Sequence, residues 1–213
     1  MTTLILLRHG RTDYNVSGRL QGSLDVPLGE AGRIQARAAS RHLRHAYGTP
    51  DALLSSPLLR ALDTAREVGR AAGLEPVADA RLTQRSYGAW EGLTWDDVRA
   101  RWPEQYEARM RGEDPDIEGW GRSDAVGARV AACLEEACRG RRLVTVVSHG
   151  SALMLGALRL LGMPPLSTSL GKLPHGHWNV LTRSSTGAWS LERYGIDPSG
   201  ARLPRGVEAQ DGD

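Results

Sequence analysis

Hydrophobic positions along the chain fall into short continuous runs, separated by longer stretches in which apolar and polar residues alternate at helical spacing. Leu4-Ile5-Leu6-Leu7 is followed at once by Arg8-His9-Gly10-Arg11-Thr12, and Leu143-Val144-Thr145-Val146-Val147 by Ser148-His149-Gly150-Ser151. Such runs, bounded by turn residues, predict strands buried on both faces. Ala52-Leu53-Leu54 is a third, leading into Ser55-Ser56-Pro57, and Pro76-Val77-Ala78 is a short candidate. A helix is predicted from about Glu30 to Tyr47, with Ile34, Ala38 and Leu43 among its buried positions. Another runs to about Ala72, with Ser56 as its N-cap, Pro57 at its first position and Gly73 ending it. One or two helices are expected over 94–111, one over Val126 to Cys138 and one from Gly150 through Leu161. His177 to Leu181 and Trp189 to Arg193 form a candidate closing strand pair.

Buried strands alternating with helices give an α/β class. The stretch from Asp13 to Gly29, rich in Gly, Asn, Ser, Asp and Pro, reads as a long ordered loop, a kind that tends to be functional. Residues 112–122 read as a mobile polar loop. One domain is expected over 1–195, with 196–213 a tail that adds nothing to the core.

Composition narrows the class of function. A chain of 213 residues with 40% hydrophobic and 24% charged residues suits one soluble domain. The net charge of +2 is too small to argue for a nucleic acid or a membrane surface as partner. Cys133 and Cys138 show neither a disulfide framework nor a zinc spacing. The first strand begins without a basic leader, and no apolar run has transmembrane length, so a cytoplasmic protein is expected.

The two histidines carry the candidate chemistry. In an open α/β sheet ligands bind beyond the carboxyl ends of the strands, where His9 and His149 both stand. Parallel neighbouring strands would bring both imidazoles to one edge. Gly10 is expected to let the backbone turn sharply, and Arg8 and Arg11 supply fixed positive charge. A helix beginning after Gly150 would aim free N–H groups at the same spot. The expectation is an anion held against imidazole.

Arg8-His9-Gly10 with Thr12, Asn15, Arg19, Gln21 and Gly22 forms one motif, and Ser55-Ser56-Pro57-Leu58-Leu59-Arg60-Ala61 with Thr64-Ala65 a second. With Ser148-His149-Gly150 as a third, the chain resembles the histidine phosphatase superfamily, in its phosphoglycerate mutase-like branch, over nearly its whole length. Within that branch it is most similar to actinobacterial phosphatases, through Arg11 to Val16 and the Leu170-Gly171…Trp178 stretch. The resemblance implies a three-layer α/β sandwich with a mixed, mostly parallel sheet flanked by helices. It also implies that His9 accepts the phosphoryl group, that Arg8 and Arg60 clamp its oxygens and that His149 completes the clamp. Asn15, Gln21, Gly22, Gly150 and Ser151 are the implied substrate-binding positions. No metal and no other cofactor is implied. The expected partner is a small phosphorylated metabolite; the oligomeric state is left open, a homodimer among the options.

One departure bears on the chemistry. Aligning Leu82, Gly88, Trp90, Glu91 and Gly92 with the family places Gln84 where the general-acid glutamate belongs. An amide holds a hydrogen bond but delivers no proton at neutral pH. Nor is His149 followed by the aspartate that serves the other branch. The alternatives are that Glu91, Asp13 or another carboxylate substitutes, that the enzyme is weak or inactive, or that the glutamine was introduced. Arg122 stands where members often carry glutamate, and reads as an exposed charge or a recruiter of an acidic substrate group. The expected function is a phosphomonoesterase acting on a small acidic metabolite. A phosphoglycerate mutase and a phosphate-binding pseudoenzyme are the alternatives; the short segment 93–122 offers little of the lid a mutase needs.

Overall fold

The computed structural model describes residues 1–167 and 169–198. The chain runs β1 (Thr2–Arg8), α1 (Asp13–Val16), α2 (Glu30–Tyr47), β2 (Ala52–Ser55), α3 (Leu59–Ala72) and β3 (Val77–Ala78). It continues through α4 (Trp95–Arg101), α5 (Pro103–Met110), α6 (Ser123–Ala137), β4 (Leu143–Ser148), α7 (Gly150–Leu160), β5 (Trp178–Arg183) and β6 (Trp189–Ile196). The strands form one sheet in the order β3-β2-β4-β1-β5-β6. The first four of these run parallel, and β5 runs antiparallel to both its neighbours, β1 and β6, so the sheet is mixed and mostly parallel.

Alternation along β1 builds the three layers. Leu4 and Leu6 pack on one face with Val130 and Leu134 of α6 and Leu153 and Leu155 of α7. Ile5 and Leu7 point the other way, to Ala39 and Leu43 of α2 and Ala61, Ala65 and Val68 of α3. The centre of the sheet is thus apolar on both sides, which is why β1 and β4 read as continuous hydrophobic runs. A third cluster, around Leu20, Tyr87, Trp90, Val98 and Trp120, lies outside these layers; with Trp95 and Trp102 it takes four of the six tryptophans.

Register brings the functional loops level. Arg8 pairs with Ser148 and Ser55 with Val147, so His9, His149 and Ser56 each leave the sheet at the same edge. The backbone ties them there, His9 N–H donating to Ser148 O at 2.9 Å and Ser56 N–H to Val147 O at 3.0 Å.

Several local expectations give way to tertiary structure. Ile34 is 57% exposed, because α2 turns Gly32, Ala36, Ala39, Ser40 and Leu43 inward, and Ala38 is only half-buried. That small face lets α2 approach the loop after β1: a Cβ on Gly10 would stand 2.3 Å from Gly32 O. Gly10 is needed for this close approach and not for a left-handed turn, since it is absent from the positive-φ glycines. Ser56 does not cap α3, which begins at Leu59 with its N–H donating to Asp25 Oδ1 at 2.7 Å. A carboxylate from the preceding loop has replaced the local cap. That loop also contains α1, closed by a capping box between Thr12 and Asn15.

The 94–111 region is two helices, broken at Trp102-Pro103 where a residue before proline is pushed out of the α region. α6 begins three residues earlier than predicted, and β5 and β6 run on to Arg183 and Ile196. Segment 112–122 is polar but pinned, with Asp114 bound to Ser123 N–H at 2.7 Å and Trp120 buried. Cys133 and Cys138 are buried and form no disulfide, burial pushing each thiol up to about 12. Among the described residues no helix is long and apolar enough to cross a membrane. Of the tail assigned to 196–213, positions 199–213 lie outside the described residues.

Candidate active site

Three buried imidazoles meet beyond the ends of β1 and β4. His9 Nδ1 lies 2.7 Å from Gly10 O, so Nδ1–H donates and Nε2 keeps its lone pair. The His149 ring is 5.1 Å from that of His9, centroid to centroid, at 62°. Its Nε2 is 2.8 Å from Ser56 Oγ. That hydroxyl accepts from Leu58 N–H at 3.3 Å; with its own proton assigned to His149 Nε2, Nδ1–H is the donor on the far side of the ring. Ser56 is thus the partner of an imidazole 93 residues away.

His175 is the third ring, 5.2 Å from His9, and belongs to none of the three sequence motifs. Its Nε2 accepts from Arg8 Nη2 at 2.7 Å, and Arg8 Nη1 donates to Leu173 O at 2.6 Å. The available signal was the Pro174-His175-Gly176-His177 turn just before β5. β5 is antiparallel to β1, so its beginning lies at the edge where β1 ends. Gly176 N–H closes the junction on the carbonyls of Arg8 and His9, both at 3.2 Å.

Arg60 reaches the same edge from the first turn of α3. Its Nη1 and Nη2 donate to Leu24 O at 2.7 Å and Gly22 O at 2.8 Å. Burial lowers its pKa to about 10, against the pull of Asp25, Tyr87 and Glu91. Burial also holds His9 well below the ordinary imidazole value, with Arg60 and Arg8 adding to the effect and the bond to Gly10 opposing it. His149 is lowered by burial and then by Arg60, His9, Arg8 and Arg129. For His175 burial again leads, followed by Arg8 and His9. All three rings are therefore neutral near pH 7, as a nitrogen nucleophile requires.

The unpaired donors show what the centre can bind. Arg60 Nε, Gln21 Nε2 and His149 Nδ1 are buried, and among the described residues none has a hydrogen-bond partner. Donors buried beside fixed positive charge suit a tetrahedral anion, which would satisfy them together. Gln21 is oriented by Thr12, whose hydroxyl donates to its Oε1 at 3.0 Å. Asn15 Oδ1 accepts Thr12 N–H at 3.0 Å and so holds the turn that carries Gln21. Gly22 adopts φ +52°, and a Cβ there would meet Glu91 Oε1 at 2.2 Å.

Gln84 sits at the start of α7. Its Oε1 accepts from Arg85 N–H at 3.1 Å and Ala152 N–H at 3.3 Å. One of the helix N–H groups expected to face the anion is therefore taken by this amide. Glu91 is committed elsewhere, its Oε1 accepting from Ser23 N–H at 2.8 Å and Tyr87 N–H at 3.0 Å, so it braces two loops. Asp13 is solvent-exposed, its Oδ1 directed toward Gly29. Gly150 is buried as the first residue of α7, and Ser151 Oγ lies 3.3 Å from Tyr87 Oη. Arg122 has a 66% exposed side chain, 3.9 Å from Asp114 Oδ2. Among the described residues no three His, Cys, Asp or Glu side chains are grouped to hold a metal ion.

Arg60→Lys is expected to lower kcat/KM for phosphomonoesters about a hundredfold, the scale of losing one preorganised donor at an oxyanion. Lysine retains the charge but has no fork to hold Gly22 O, Leu24 O and a ligand oxygen together. Unchanged kinetics would remove Arg60 from the site.

Comparison with known proteins places the chain in a family. Residues 4–197 match the family described as the histidine phosphatase superfamily (branch 1). Glucosyl-3-phosphoglycerate phosphatase of Mycobacterium tuberculosis is 34% identical over 197 residues, covering 88% of this chain and 83% of the relative. Phosphoserine phosphatase 1 of Hydrogenobacter thermophilus is 33% identical over 168 residues, covering 76% and 78%. Among solved structures, mycobacterial glucosyl-3-phosphoglycerate phosphatase in complex with VO3 superposes with a TM-score of 0.84 at 34% identity, over 92% of this chain and 99% of that one.

Proposed function

The chain belongs to the histidine phosphatase superfamily, branch 1, and on that premise we propose that it is a phosphomonoesterase hydrolysing a small acidic phosphorylated metabolite through a phosphohistidine intermediate. The observation that carries this reading is the neutral His9, its Nε2 lone pair left available beside Arg8, Arg60 and His149. Nε2 forms a bond to phosphorus as the ester P–O bond breaks, and the leaving oxygen takes a proton from solvent, to which the attacking water of the second step returns one. Water then attacks the phosphohistidine, releasing phosphate and restoring neutral His9. Arg60 Nε, Gln21 Nε2 and His149 Nδ1–H stabilise charge on the equatorial oxygens.

Glucosyl-3-phosphoglycerate and phosphoserine, in the names of the relatives, are both phosphorylated carboxylic acids, which supports an acidic metabolite. Gln84 weakens one step only: it cannot supply the leaving group's proton. Phosphate release from a panel of phosphomonoesters, with and without 2,3-bisphosphoglycerate, tests the reading. Release without the bisphosphate is expected. Phosphoryl exchange only in its presence would make the protein a mutase, and binding without turnover would make it a phosphate-binding pseudoenzyme.

A further inference from the structure

Of the three imidazoles at the centre, His175 has no part in the phosphoryl steps given to His9 and His149, yet it lies beside His9 at only 2% exposure. It belongs to the segment from Leu173 to His177, which wraps the end of β1. That segment holds Arg8 at backbone and side chain alike. The Arg8 N–H donates to His177 O at 3.0 Å, and the Arg8 carbonyl accepts from Gly176 N–H at 3.2 Å. Its guanidinium reaches Leu173 O through Nη1 at 2.6 Å and His175 Nε2 through Nη2 at 2.7 Å. Gly176 takes φ +73°, a conformation that L side chains rarely adopt, and so turns the segment between these contacts.

Both of these acceptors are neutral. Leu173 O is a carbonyl, and His175 is kept unprotonated by burial first, then by Arg8, His9, Lys172 and Arg11. With Nε2 accepting, the ring's proton lies on Nδ1. A carboxylate in this place would hold Arg8 as firmly but would cancel the charge that has to meet a phosphoryl group. An alkyl side chain would keep the charge but take this acceptor from a buried guanidinium. A neutral acceptor avoids both losses. Arg60 is held in the same manner, its fork on Gly22 O and Leu24 O. The placing of Arg8 matters to the nucleophile as well: burial and Arg60 do most to keep His9 and His149 unprotonated, and Arg8 adds to both.

We propose that His175 is a positioning residue, an uncharged acceptor that fixes the Arg8 guanidinium beside His9 and leaves its full charge for the phosphoryl group. It acts through Arg8 and not on phosphorus or the leaving oxygen. Its effect on turnover rests on the phosphomonoesterase reading; its effect on anion binding does not.

The test compares His175→Gln, His175→Leu and His175→Glu by kcat/KM for p-nitrophenyl phosphate and by calorimetric affinity for inorganic phosphate. The first offers an amide oxygen where Nε2 stands, the second no acceptor and the third a charged one. His175→Leu is expected to lose about ten- to a hundredfold in both measures, the strength of a hydrogen bond to a charged group. His175→Gln should recover most of that loss, and His175→Glu should bind phosphate at least as poorly as His175→Leu. In an Arg8→Lys background His175→Leu should cost no more than about twofold, because the fork it serves is already gone. A merely structural role would give the same loss in both backgrounds. Unchanged kinetics in His175→Leu, no recovery in His175→Gln, equal phosphate binding by His175→Glu and His175→Gln, or a full loss in the Arg8→Lys background would overturn the proposal. If the unsubstituted protein hydrolyses no ester, the phosphomonoesterase reading falls, and the order of phosphate affinities alone upholds or overturns the role of His175.

Discussion

Replacing His9 by alanine is expected to lower turnover by on the order of a million-fold, the scale on which a hydrolase loses its covalent nucleophile. The fold should survive, because His9 sits past the end of β1 and its Nδ1 bonds only to Gly10 O. The layers on either side of β1 are built by Leu4, Ile5, Leu6 and Leu7, which the substitution leaves in place. Arg8, Arg60 and His149 also remain, so His9→Ala should still bind inorganic phosphate. Rapid quenching of the unsubstituted protein with radiolabelled substrate should trap an acid-labile, base-stable phosphoryl group on His9. Label on His149 and never on His9 would reverse the two roles.

The second large effect is expected at Gln84, as a gain. A positioned general acid contributes about a hundred- to ten-thousandfold to a rate. That help matters for an alkoxide leaving group, which is a strong base, and little for p-nitrophenolate, which leaves unprotonated. The protein should therefore hydrolyse aryl phosphates passably and alkyl phosphates poorly. In Gln84→Glu one carboxyl oxygen can keep the N–H groups of Arg85 and Ala152, while the other carries the proton in place of the amide nitrogen. Alkyl phosphate turnover should then rise by the full factor and aryl turnover by little. Glu91→Gln and Asp13→Asn are the controls. Glu91 is held by Ser23 and Tyr87 and Asp13 is exposed, so neither should reproduce a selective loss on alkyl esters. Equal effects on alkyl and aryl esters in all three variants would show that none of these positions protonates the leaving group.

What the sequence determined by itself is the centre of the sheet and the chemistry at its edge. Leu4 to Leu7 and Leu143 to Val147 can be hidden from water on both faces only inside an α/β sheet. Each run ends in a histidine and a glycine, which placed His9 and His149 together before any pairing was known. Arg60 and Gln84 were legible through motifs of fixed spacing. Other features depended on contacts between distant segments. His175 joined the site because β5 returns antiparallel, so its start and not its end meets His9. Ser56 was free to hold His149 because Asp25, from another loop, caps α3 in its place. Ile34 faces water because α2 needs its smallest face, Gly32 included, where the chain passes Gly10 and Arg11. The Arg85–Asp114–Ser123 cluster joins three segments that carry no shared pattern along the chain. Periodicity records which side of an element is buried, whereas the identity of a partner across tens of residues is set only when the layers pack.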